Sequence, residues 1–258
     1  MQTGQNFDFA LVSFMPNART LVQQMVVGDV VIPHHIYGPD AIDTLRYPSK
    51  GSKKPFKLIP GNCDLIPILF WKSHPQYQHV WVMEDDVEYT GDPARLFADL
   101  AGKDEDLLAT HVTRCVDGWI YAKNFRSPGI DLAADAKWLT FFPFYRVSRN
   151  ALEAIDRRYL EGWDGHHEMT WPTILKGAAC GILDIGGQGS HVSKENINRH
   201  YLGVPGNAFE KRGSFGTMDI RLRPGKQKNV LWHPVKTPKA WVRQKIKRML
   251  SILKWKYL

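Results

Sequence analysis

Three consecutive carboxylates at the end of an apolar run form the stretch of this sequence best suited to chemistry. Val80, Trp81, Val82 and Met83 lead directly into Glu84, Asp85 and Asp86, and Val87 follows before Thr90-Gly91-Asp92-Pro93 breaks the pattern. A buried strand cannot carry adjacent unpaired charges through its interior without several kcal/mol of desolvation for each. The acids therefore belong at the strand's end, facing a cleft, which is where open α/β sheets bind ligands. Neighbouring carboxylates repel one another, and a divalent cation relieves that repulsion while accepting phosphate oxygens in the same coordination shell. The cluster reads as a metal-diphosphate clamp, with a solvated strand exit as the bland alternative.

Glu84-Asp85-Asp86 after a hydrophobic strand resembles the Asp-x-Asp motif of GT-A glycosyltransferases. With Pro60-Gly61-Asn62-Cys63-Asp64 before it and His166-His167-Glu168 after it, the chain from roughly residue 7 to residue 236 is similar to a family of bacterial glycosyltransferases. The resemblance implies a GT-A-like (Rossmann-like) single α/β domain over 1–236, with a mostly parallel central sheet. It also implies Mn²⁺ or Mg²⁺ held by Asp86 together with Asp85 or Glu84, and a nucleotide-sugar donor. Asn62 and Asp64 would lie beside the base and ribose, although Asp64 also fits as a plain helix cap. In such enzymes a late histidine often joins the metal; His233, between Trp232 and Pro234, fits, with His191 as its rival. Inverting members place a carboxylate after a glycine-containing loop at a helix start, where it takes the proton of the acceptor hydroxyl. Glu168 stands at that point, with Asp164 the nearest substitute. A sugar hydroxyl is a poor nucleophile until a base lies within hydrogen-bond reach, so the chemistry asks for such a group. The competing reading of Glu168 is a carboxylate that stabilises a helix N-terminus.

The chain must build a scaffold that brings these residues together. At 258 residues it is long enough for one large α/β domain, and 43% hydrophobic with 23% charged residues excludes a disordered or fibrous chain. No apolar run approaches the roughly 20 residues of a spanning helix. The first residues have neither the basic start nor the apolar core of a signal peptide, so a cytoplasmic protein is expected. Cys63, Cys115 and Cys180 are an odd, widely spaced set, which points to reduced and mostly buried thiols.

Phe7 to Phe14 reads as a strand, Leu21, Met25 and Val26 as one face of a helix, and Val30 to Tyr37 as a second strand, together a βαβ opening whose rim near Phe14 to Asn17 would meet the nucleoside. Tyr47 to Lys57 is a lysine-rich loop. Its Lys50, Lys53, Lys54 and Lys57 could steer a diphosphate or simply be solvated. A helix follows through Leu65, Ile68 and Leu69, another starts at Asp92-Pro93, and Leu107 to His111 forms a strand. The aromatic-rich stretch from Asp117 to Trp138 is irregular and suited to acceptor contacts. Phe141 to Val147 is a strand, and after Asn150 a helix shows Leu152, Ile155, Tyr159 and Leu160 on one face. Cys180 to Ile185 is a short strand, Gly186 to His191 a loop free to move over the donor, and 192–230 a polar excursion across the front of the site.

The net charge of +8 resides in the last segment: Lys236, Lys239, Arg243, Lys245, Lys247, Arg248, Lys254 and Lys256 occur there with no acid, leaving the domain neutral. Such a distribution gives no reason to expect nucleic acid as a partner. Val242, Ile246, Met249, Leu250 and Leu253 form an apolar stripe, so residues 237–258 read as a basic amphipathic helix for an anionic membrane surface, with docking on the domain itself as the alternative. The whole pattern leads to a metal-dependent glycosyltransferase peripherally bound to the inner face of the membrane, acting on a glycan or lipid-linked acceptor in surface polysaccharide or lipopolysaccharide synthesis. A nucleotidyltransferase or phosphohydrolase, or a noncatalytic sugar-binding module, would be the alternatives.

Overall fold

The acid-bearing run is strand β4 (His79–Met83), and the sheet it belongs to decides where the carboxylates point. The computed structural model describes residues 7–115, 119–204, 213–217 and 219–246. In it β4 is an edge strand of a four-stranded sheet ordered β4-β7-β6-β8, built with β6 (Leu107–Arg114), β7 (Trp138–Ser148) and β8 (Ile182–Asp184). Strand β7 runs antiparallel to both β4 and β6, and β6 and β8 are parallel. The sheet is thus mixed, not mostly parallel as expected. Between β6 and β7 the described chain makes only two short 3₁₀ turns, Ala122–Asn124 and Ala134–Ala136. Parallel neighbours need a crossover, most often a helix; without one the chain returns as an antiparallel partner.

A second sheet opens the chain, ordered β1-β3-β2, from β1 (Leu11–Phe14), β2 (Leu21–Val27) and β3 (Val30–Tyr37). β1 and β3 are parallel, as a βαβ opening requires, but the expected helix between them is strand β2, paired antiparallel with β3. The reason is local: Gly28 has φ +60 and occupies the first central position of a two-residue Gly-Asp turn between the paired Val27 and Val30. That turn matches the twist of a hairpin, and its β-branched flanks favour strands over helix.

Helices cover both faces of the larger sheet. On one side Leu107 and Ala109 join the main core with α1 (Pro39–Thr44), α2 (Leu65–Ser73), α4 (Arg149–Leu160) and α5 (His167–Gly177). On the other, Leu108 and Phe144 pack with Leu96 and Leu100 of α3 (Pro93–Ala101). Asp92 caps α3 through Ala94 N–H at 3.0 Å and Pro93 follows it, as the sequence indicates. In α4 the cap is Ser148, which accepts from Ala151 N–H at 3.0 Å, two residues earlier than the Asn150 boundary suggested. Leu152, Ile155 and Tyr159 are buried, but Leu160 turns outward, because the fully packed face ends with Tyr159.

Candidate active site

The end of β4 is held open by backbone pairing on both sides. Glu84 N–H donates to Pro143 O at 2.8 Å and Val87 N–H to Glu84 O at 3.1 Å, so the chain turns at the acids. It then forms the two-residue strand β5 (Glu88–Tyr89), paired antiparallel with β9 (Leu231–Trp232). Val235 N–H donates to Asp86 O at 2.8 Å and extends this pairing past the histidine. Residues separated by about 150 positions are thereby brought face to face. Glu84, Asp86 and His233 offer ligand atoms that all lie within 4.8 Å of one another. His233 Nε2 stands 3.4 Å from Asp86 Oδ1 and 3.6 Å from Glu84 Oε2.

Electrostatics set the character of this group. Burial alone would raise the Asp86 carboxyl, but His233 and then Lys236, whose ammonium contacts Asp86 Oδ2, hold it below its ordinary value. Burial would likewise lower His233, yet Asp86 and Glu84 raise it to about 9. The pocket therefore asks for positive charge. His233 Nδ1 donates to Gly216 O at 2.8 Å, which fixes the ring and aims Nε2 at the carboxylates. A histidine anchored through one nitrogen with the other facing carboxylates is the arrangement that metal sites use. Two carboxylate oxygens and an imidazole nitrogen fit Mn²⁺ well, whereas Mg²⁺ prefers an all-oxygen shell with water. These three residues could hold a divalent cation, with Lys236 already paired to one Asp86 oxygen.

Glu168 lies buried in the first turn of α5. His166 caps that helix, accepting from Glu168 N–H at 3.3 Å, and its ring is stacked between Tyr121 at 4.4 Å and His167 at 5.1 Å. Trp119 meets the His166 ring edge-on, so the irregular aromatic stretch does reach the Glu168 turn. The 60–64 turn packs against the same place. A side chain at Gly61, where φ is +96, would meet His166 Cα at 3.0 Å, and His167 N–H donates to Gly61 O at 3.3 Å. Lys50 fastens the two turns together, donating from the interior to Gly61 O and to Gly165 O. Cys63, in the 60–64 turn, is exposed yet crowded by neighbouring protein atoms. Its thiol is pushed up to about 11, first by that crowding, then by Asp64 and Glu84, with Lys50 opposing and Glu168 adding.

Against the expected site, the structure sorts the residues. Asp86 and His233 come together, and Glu84 takes the third place in the group; Asp85 is exposed and stands outside it. His191 packs on Trp138 at 4.7 Å instead of joining them. Asn62 is half-buried in the turn beside His166, and Lys57 is exposed. Asp64 holds the N-cap position of α2 as the sequence suggests, but its side chain makes no capping bond. It is fully buried, paired with Lys50 at 3.2 Å and accepting from Tyr159 OH at 2.5 Å and Trp171 Nε1 at 3.0 Å. The same pair overturns the surface role of Lys50, since an ammonium with three internal partners is not available to a diphosphate. Asp164 is half-buried; its carboxylate accepts from Gly165 N–H at 2.8 Å and its backbone pairs with Arg126. Lys236, which the sequence reading does not place at the site, pairs with Asp86 beside this group. It was counted only as tail charge, and its place two residues after Pro234 was the available signal. The thiols are free as expected, but Cys63 is exposed rather than buried.

The helix over 238–246 leaves Val242 and Ile246 about half exposed, and Trp241 Nε1 donates to Ile220 O at 3.2 Å. Met249, Leu250, Leu253 and the later cations lie outside the described residues. Among the described residues no helix is long and apolar enough to cross a membrane. No protein-family model matches the sequence, and no curated protein matches it.

Proposed function

We propose that this protein is a GT-A-like glycosyltransferase that moves a sugar from a nucleotide-sugar donor to a hydroxyl of a glycan or lipid-linked acceptor. The observation that carries this reading is the Glu84–Asp86–His233 group at the end of β4, and Glu168, buried in the first turn of α5, is the carboxylate assigned as base. Glu168 accepts the proton of the acceptor hydroxyl as its oxygen attacks the anomeric carbon, and the bond from that carbon to the diphosphate breaks. Asp86, Glu84 and His233 would hold the divalent ion, which when bound neutralises the departing diphosphate. Lys236 adds a fixed positive charge at the same point. Tyr121, stacked on His166, and Trp119, edge-on to it, offer apolar faces for the acceptor sugar near Glu168.

The basic segment from 238 onward brings this site to the cytoplasmic membrane surface. The exposed Val242 and Ile246, one helical turn apart beside Lys239 and Arg243, support that placement. Binding to anionic vesicles that is unchanged after removal of 237–258 would refute it.

A thermal-shift screen of nucleotide sugars with and without Mn²⁺ tests the central reading. A ligand present at a hundred times its dissociation constant stabilises the folded state by about 2.7 kcal/mol. The expected result is a metal-dependent shift with one donor, lost in Asp86→Ala, and release of a nucleoside diphosphate or monophosphate on adding acceptor. Release of pyrophosphate or inorganic phosphate instead would assign the site to nucleotidyl transfer or phosphate hydrolysis.

A further inference from the structure

Strand β2 and the turn end of β3 stand apart from the site and contribute no residue to the core, which β3 joins only at its other end through Tyr37. Every residue of β2 is exposed except Met25, which is half-buried, and β2 is the outer strand of its sheet. Val22, Val26 and Val27 are 58%, 70% and 53% exposed, and across the turn Val30 and Val31 are 60% and 61% exposed. Exposed edge strands are ordinarily guarded by a charge, a proline or a bulge, since their free N–H and C=O groups recruit another strand. Leu21–Val27 carries none of these.

The register identifies what would pair there. Val27 lies opposite Val30 across the two-residue turn, and Gln24 lies opposite Pro33, which has no N–H to give. In a two-residue hairpin the turn-flanking pair is hydrogen-bonded and the bonding alternates along the strand. Val22, Gln24 and Val26 therefore direct their backbone N–H and C=O groups to the free edge. We propose that β2 pairs antiparallel with β2 of a second copy of this chain, about a two-fold axis at Gln24, joining two three-stranded sheets into one of six strands.

Three features meet in that register and argue for a second copy over any other occupant. It matches outward-facing groups to outward-facing groups, Gln24 to Gln24 and Val22 to Val26, over the full strand. It aligns apolar with apolar, so that Val31, Val26 and the partner's Val22 make one row, and Val30, Val27 and the partner's Leu21 make another. It also sets exposed Arg19 of each copy beside the turn that bears exposed Asp29 of the other, at both ends of the axis. A two-fold contact must be self-complementary in this way.

The test is the mass of the full-length protein in solution by sedimentation, from micromolar to about 100 µM. A species of twice 29.5 kDa is expected. Val26→Lys puts a charge in the middle of the contact. Gln24→Pro removes an outward N–H that the isolated hairpin does not use. Each should weaken the dimer at least tenfold without lowering the melting temperature. In a Cys63→Ser background, Gln24→Cys should form an intermolecular disulfide on mild oxidation. The two residues face one another at about 5.5 Å between Cα atoms, within disulfide reach. Val27→Cys, about 20 Å from its symmetry mate, should not. A monomer throughout the range, a dimer indifferent to Val26→Lys and Gln24→Pro, or equal cross-linking at 24 and 27 would each overturn the proposal. So would a monomer whose vesicle binding is lost in Val26→Lys, since the hairpin would then belong to the membrane.

Discussion

Replacing Asp64 with alanine separates a structural carboxylate from a ligand-binding one. Asp64 and Lys50 have no exposed side-chain surface, and Tyr159 OH and Trp171 Nε1 both donate to the Asp64 oxygen that Lys50 leaves free. Breaking a buried ion pair by removing one partner costs about 3–5 kcal/mol, because the other charge is left uncompensated. Trp171 Nε1 would lose its acceptor as well, at about 1–3 kcal/mol. Tyr159 keeps Thr170 at 3.0 Å, and Lys50 keeps the carbonyls of Gly61 and Gly165, which places the total for Asp64→Ala toward the lower end of that sum. In a protein of this size each kcal/mol moves the melting temperature by about 2–4 °C, so a fall of about 10–20 °C is expected in a thermal melt. The paired change Lys50→Met with Asp64→Leu should be milder than Asp64→Ala alone, since no charge is then stranded. If Asp64→Ala melted within about 2 °C of the parent but lost its response to a nucleotide sugar, the carboxylate would be a ligand and the buried assignment would be wrong.

Three further outcomes follow from the same geometry. Asp86→Ala and His233→Ala should each abolish Mn²⁺-dependent stabilisation while Asp85→Ala retains most of it, and equal losses from all three would dissolve the Glu84–Asp86–His233 group. Glu168→Gln should lower kcat by about 10²–10⁴-fold with little change in KM for the donor, and Asp164→Asn much less; a fully active Glu168→Gln removes the base. Buried His200 is depressed to about 4, first by burial and then by Arg199. For a base with a lowered folded pKa, the stabilising contribution is complete above the unfolded value near 6.5 and disappears as the pH falls toward 4. The parent should therefore lose at most about 3 kcal/mol over that window relative to His200→Leu. Asp184, pushed up to about 7 by burial, acts in the opposite sense in both proteins, so the difference between them isolates His200, and parallel pH profiles would contradict it.

Much of the scaffold was legible where short-range rules apply. Asp92-Pro93 starts α3, the glycine-rich turn before His166 ends one helix and opens the next, and the apolar run before Glu84 is a strand that delivers its acids to an end. The helical spacing of Leu21, Met25 and Val26 points to a helix, but the Gly28-Asp29 turn beside them folds Leu21–Val27 back as a strand. The direction of β7 was not legible at all, since nothing local distinguishes a strand that returns antiparallel from one that crosses over.

The sequence by itself determined that acids end an apolar strand, that a second carboxylate opens a later helix, and that positive charge collects at one end of the chain, because hydrophobic patterning, capping and charge patterning are properties of neighbouring residues. Which acids meet a histidine, which lysine is buried and which aspartate is internal were decided only when β9 zipped onto β5 and the turns at Gly61 and Gly165 closed over Lys50. Those choices depend on contacts between residues far apart in the chain. A carboxylate shows the same letter whether it will face a cleft or a buried ammonium, and the packing around it sets the difference.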